Sequence, residues 1–137
     1  MGWRRIRDAV AGSARHTGKL EVNMQIILCD VRTDITTAWQ AYIPSQLAAT
    51  VQVIKGSILS LPVAAVVSPA NSFGFMDGGL DALYTRFFGP QLQHRLQRMI
   101  RERASGELLV GQALPVQTGH TRIPWCISAP TMRVPRS

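Results

Sequence analysis

The pattern of apolar positions predicts strands alternating with helices. Met24-Gln25-Ile26-Ile27-Leu28 opens as a strand, and residues 34–42 (DITTAWQAY) read as a helix. Asp34 is the expected cap of that helix, and Ile35, Ala38, Trp39 and Tyr42 its apolar face. Pro44 ends it, and the alternation in Val51-Gln52-Val53-Ile54 predicts a second strand. Val63-Ala64-Ala65-Val66-Val67-Ser68 is a continuous run of small apolar residues, which suits a strand covered on both faces.

A glycine-rich loop follows that strand and opens a helix over residues 81–88, stopped by Gly89-Pro90. A second helix is predicted over 91–104. Its Leu92, Leu96, Met99 and Ile100 fall on one stripe, and its arginines occupy the other faces. Arg98 and Glu102 stand at i, i+4 and can pair. Residues 112–116 form a short extended piece, 118–120 a turn and 123–128 a last strand. Strands alternating with helices imply an α/β layered sheet.

Composition narrows the class. The chain has 137 residues, 46% of them hydrophobic and 17% charged, which fits a folded domain and excludes a disordered one. No apolar stretch approaches the roughly 18 residues of a membrane span, so no membrane association is expected. Cys29 and Cys126 lie in separate apolar runs with no CxxC and no neighbouring histidine. They read as buried, inert thiols in a reduced, cytoplasmic compartment, and neither a metal nor a cofactor is expected.

The formal net charge is +7, unevenly placed. Residues 1–23 hold five bases against two acids. This segment reads as a basic extension outside the domain, which would occupy 24–137. Most of the remaining excess lies on the helix of residues 91–104 and reads as a solvated face. No aromatic residue interleaves with those arginines, which disfavours nucleic acid as a partner.

Residues 68–81 carry the candidate chemistry. Strand, glycine loop and helix together make an anion-binding arrangement: glycines admit close approach to backbone N–H groups, and the helix N-terminus adds partial positive charge. The stretch matches neither a Walker A loop nor G-x-G-x-x-G. Asn71 can hold a sugar hydroxyl or bond its own turn. Asp81 can orient or deprotonate a water, or cap its helix. Asp77 reads as a solvated loop tip, and Phe73 and Phe75 as core anchors.

Val66-Val67-Ser68-Pro69-Ala70-Asn71-Ser72, followed by Gly78-Gly79-Leu80-Asp81, resembles the signature of macro domains. Lys55-Gly56-Ser57-Ile58 resembles the family's G-D-I segment. Gly111-Gln112-Ala113 and Trp125-Cys126-Ile127-Ser128-Ala129-Pro130 resemble its G-E-A and strand-to-G-P segments. The resemblance spans residues 24–135 and implies a three-layer α/β/α fold with a mixed sheet. It implies binding of ADP-ribose, or action on an ADP-ribosylated substrate as a hydrolase or deacetylase, with a non-catalytic reader or an inactive remnant as alternatives.

By that resemblance, Asn71 contacts the distal ribose and Asp81 is the hydrolytic carboxylate. Gly78, Gly79 and Leu80 offer backbone contacts to ribose and phosphate, Ser68 and Ala70 are further ligand-binding residues of the loop, and Ile58 offers a backbone contact at the adenine. Departures accompany it. Ser57 stands where the family has an adenine-reading aspartate, Ser68 where it has an asparagine, and Met76 and Asp77 where it has glycines. The family's second phosphate loop, last strand and closing helix are expected to be missing after Pro130.

Overall fold

The computed structural model describes residues 24–135, together with the backbone of two short strands, β1 (Arg15–His16) and β2 (Lys19–Leu20), which pair antiparallel. Most of the expected extension over 1–23 therefore lies outside the described residues. The chain divides into two compact units, Met1–Pro62 and Val63–Ser137.

In the first unit, β3 (Ile26–Asp30) pairs parallel with β4 (Val51–Lys55), with Ile26 opposite Val51 and Asp30 opposite Lys55. Parallel neighbours need a crossover, which α1 (Thr33–Tyr42) supplies. Arg32, not Asp34, occupies the N-cap of α1, and its side chain makes no cap bond. Asp34 instead sits in the first turn and pairs with Arg32 at 2.6 Å. The expected apolar face is only partly covered. Ile35 and Trp39 are half-buried and Ala38 exposed, while Tyr42 is 86% exposed and Thr36 is the buried residue of the helix. Thr36 tolerates that burial because its hydroxyl donates to the Thr33 carbonyl at 3.1 Å.

The second unit is built on a ladder of β5 (Ala65–Ser68), β7 (Trp125–Ser128) and β6 (Leu114–Gln117), in that order. β5 runs parallel to β7, and β6 antiparallel to it. The described strands thus form three separate ladders rather than one hydrogen-bonded sheet. The run of residues 63–68 is not covered on both faces. Val66 and Ser68 are buried, but Val67 is 52% exposed, the alternation of a strand with one covered face.

Two helices follow β5: α2 (Gly79–Phe88) and α3 (Gln91–Arg103). They are separated by Gly89, whose φ of 95° suits the turn and whose N–H closes α2 onto Thr85 O at 2.9 Å. Leu92, Leu96 and Ile100 of α3 are buried as their spacing predicts, and Met99 is half-buried. They share the core with Val66, Met76, Tyr84, Phe88, Val116, Ile123 and Cys126. Arg98 and Glu102 do not form an ion pair; those among the described residues are Arg32–Asp34 and Arg133–Glu107. Cys126 is buried, whereas Cys29 is only half-buried, its Sγ 3.2 Å from the Gly56 carbonyl.

Candidate functional site

The loop from Ser68 to Asp81 begins where β5 ends beside β7. Past the paired Ser68 and Ser128, the two segments continue side by side. Ala129 N–H donates to Ser68 O at 3.0 Å and Thr131 N–H to Ala70 O at 3.0 Å. Ser72 N–H then reaches the Met132 and Arg133 carbonyls, each at 3.1 Å. Residues 129–133 therefore form one wall of the loop, which accounts for the burial of Ala70.

Asn71 is 6% exposed, and its side chain is directed into the loop itself. Its Oδ1 accepts from Phe73 N–H at 3.1 Å and Phe75 N–H at 3.2 Å, while its Nδ2 donates to Phe75 O at 2.8 Å. Both acceptor directions are thus used in folding the turn. Gly74 completes that turn. Its φ is +74°, and a Cβ there would lie 2.9 Å from Ile100 Cδ1, so the loop can rest on α3 only without a side chain at this point.

The expected core anchors exchange places with a neighbour. Phe75 is 44% exposed and Phe73 half-buried beneath the Arg133 guanidinium at 5.5 Å, whereas Met76 is fully buried. Two residues that the sequence did not mark hold Met76 in place. Gln93 Oε1 accepts from Met76 N–H at 2.7 Å, and Thr85 Oγ1 donates to Met76 O at 2.6 Å. No local motif signals them, because each reaches the loop from a helix further along the chain. Asp77 at the tip is exposed, as expected.

Helix α2 begins at Gly79, two residues before Asp81, with Gly78 as N-cap and no side-chain cap bond. Asp81 is therefore in the first turn and is not the cap. Gly78 and Gly79 are exposed, Leu80 is half-buried, and a Cβ on either glycine would meet nothing within 4 Å. The first N–H groups of an α-helix lack internal partners. Here the backbone at Gly78 and Gly79 is exposed, at the positive end of the helix.

Asp81 itself is 6% exposed. Its Oδ1 accepts from the Ser68 hydroxyl at 2.5 Å. Burial pushes the Asp81 carboxyl above the ordinary carboxylate range; the Ser68 bond opposes that rise and the Asp77 charge adds to it. The Cys126 thiol is pushed up to about 12, mainly by burial and secondly by the Asp81 charge. It is neutral near pH 7 and unsuited to act as a nucleophile. The buried hydroxyls of Ser72 and Ser128 have no hydrogen-bond partner.

Loop 68–81 thus brings together Ser68, Ala70, Asn71, Gly78, Gly79, Leu80 and Asp81. Ser57 and Ile58 belong to the first unit. Ser57 is exposed and its carbonyl accepts from Ser60 Oγ at 2.8 Å; Ile58, half-buried, starts the short 3₁₀ turn Ile58–Ser60.

Fold and loop together define a mixed α/β protein with an uncapped helix N-terminus behind a glycine loop. A family model described as Macro domain matches residues 67–137, and the chain belongs to that family. An uncharacterised protein of Aquifex aeolicus (strain VF5) is 34% identical over 85 residues, covering 62% of this chain and 48% of the relative. A mutant macrodomain of Oceanobacillus iheyensis is similar in structure, with a TM-score of 0.50, 23% identity, and coverage of 54% of this chain and 40% of that one. The macrodomain of Mycobacterium tuberculosis DarG has the same TM-score of 0.50 and 23% identity, over 59% of this chain and 51% of its own. These two likenesses are of fold. The chain spans about half the length of the relatives it matches.

Proposed function

We propose that the loop of residues 68–81 binds ADP-ribose or a related nucleotide-diphosphate sugar. The observation that carries this reading is the N-terminus of α2. It has no side-chain cap, and Gly78 and Gly79 stand exposed with open space where side chains would be. A diphosphate seated there accepts hydrogen bonds from N–H groups of the first turn and gains from the helix dipole. Ser57 and Ile58 are the proposed adenine contacts, by resemblance alone.

Asn71 acts in this reading as the brace of the loop, since its carbonyl oxygen is occupied by Phe73 and Phe75. Asp81 acts as the buried carboxylate that ties α2 to β5 through Ser68. Such an arrangement favours a binding module. Hydrolysis of an ADP-ribosyl linkage is the second reading, supported by the raised Asp81 pKa, which makes its carboxylate a stronger base.

Amide resonances followed during an ADP-ribose titration test the binding site. Shifts concentrated at Gly78 to Asp81 are expected; shifts that leave those amides in place reject it. Turnover of an ADP-ribosylated protein, compared with Asp81→Asn, separates the two readings. Turnover lost in the variant assigns hydrolysis to Asp81, whereas binding without turnover in either protein assigns a reader.

A further inference from the structure

Three of the four arginines of α3 line one groove of the second unit. Arg95, Arg98, Met99 and Arg103 line an open cavity of about 350 Å³ together with Pro115, Gln117 and Trp125. That volume lies inside the range of roughly 300–1,000 Å³ typical of ligand sites. No carboxylate lines it. Trp125 stands at the start of β7 and is 39% exposed.

We propose that this groove binds single-stranded nucleic acid, with the three guanidiniums on successive phosphates and a base stacked on Trp125. The proposal does not rest on ADP-ribose binding at loop 68–81. The helix sequence by itself disfavours nucleic acid, because no aromatic residue interleaves with its arginines. The fold supplies that aromatic from β7, 22 residues after Arg103. Guanidiniums beside an aromatic face are the combination that sequence-tolerant single-strand sites use.

Three further observations favour this occupant. Arg95 is already oriented: its Nη1 donates to Gln117 O at 3.0 Å, and Gly119 lets it lie close, since a Cβ there would be 3.3 Å from Nη1. Arg103 also lines a second cavity of about 710 Å³ with Ser105, Glu107, Leu108 and Gln112, and the Glu107 carboxylate there is paired with Arg133 at 2.7 Å. The lining is therefore shared between two cavities, as suits a chain longer than one nucleotide. Finally, β6 is the end strand of its ladder and carries Pro115, which has no N–H to donate. That edge is poorly suited to adding a peptide strand, the usual alternative occupant of a sheet margin.

Fluorescence anisotropy of the full chain with a labelled 12-nucleotide oligouridine tests the proposal. Three phosphate contacts predict that log affinity falls with log salt at a slope of about −2. In the double variant Arg98→Ala/Arg103→Ala, affinity at low salt should fall roughly tenfold or more and the slope should flatten by about 1.4. Lysine at both positions should restore most of the slope. Trp125→Leu should weaken binding about fivefold or more with the slope kept. Absence of binding at low salt would overturn the proposal. So would affinity unchanged in the arginine and tryptophan variants, which would locate the oligonucleotide elsewhere, or equal competition by a polyglutamate peptide. ADP-ribose titration of the same arginine variant should match the parent chain, which keeps this outcome separate from that of loop 68–81.

Discussion

The Ser68 hydroxyl donates to the Asp81 carboxylate at 2.5 Å, joining the last residue of β5 to the first turn of α2. Both residues are buried, at 0% and 6% exposure. Ser68→Ala leaves the carboxylate buried without that donor, so the variant should be less stable by about 1–3 kcal/mol. Urea unfolding at pH 7 measures this loss; a change near zero would mean that water or another donor replaces the hydroxyl.

The raised pKa of Asp81 sets the sign of a pH effect. Its folded value lies above the ordinary 3.8, so between the two values the folded state holds more protons than the unfolded state. Stability from this group is full below the unfolded pKa and is lost as pH rises through the folded one. Asp81→Asn removes that slope. The variant's stability relative to the parent should therefore increase with pH above about 3.8, as unfolding at a series of pH values would reveal. A difference independent of pH would contradict the assigned burial.

Gly74 and Gly78 separate a structural role from a ligand-facing one. Gly74→Ala forces a side chain into φ +74° and against Ile100 Cδ1 at 2.9 Å. It should cost about 1–2 kcal/mol for the left-handed backbone, with the clash added. Gly78→Ala has an extended φ of −134° and open space, so its stability should barely change. Its effect should appear instead as weaker ADP-ribose binding. Thermal melts and titrations of both variants check the contrast.

The two thiols should differ from free cysteine. Cys126 is buried with its pKa pushed up to about 12, and Cys29 is raised mainly by burial, then by the Asp30 charge. At pH 8, a thiol reagent should label Cys126 only when the chain unfolds and Cys29 more slowly than a model thiol. Rapid labelling of both in the native protein would contradict the packing of β7.

Much of this fold is legible in the sequence where periodicity is strong. The stripe Leu92, Leu96, Ile100 and the runs that became β4, β5 and β7 all form, with boundaries shifted by a residue or two. The loop's glycines and the Asn71 turn were readable from local chemistry. The Ser68–Asp81 bond was not, because it joins residues 13 apart whose approach depends on how α2 returns to β5. Nor was the burial of Met76 in place of Phe75, since residue size does not fix which loop side chain faces inward. The groove beside Trp125 escaped for the same reason: helix and strand meet only in the fold.

Calorimetric titration of the full chain with ADP-ribose tests the central claim most directly. The open, uncapped start of α2 predicts saturable one-to-one binding that Gly78→Val weakens at least tenfold with the melt unchanged. A flat titration of a chain that melts cooperatively, or binding that Gly78→Val leaves intact, would contradict it.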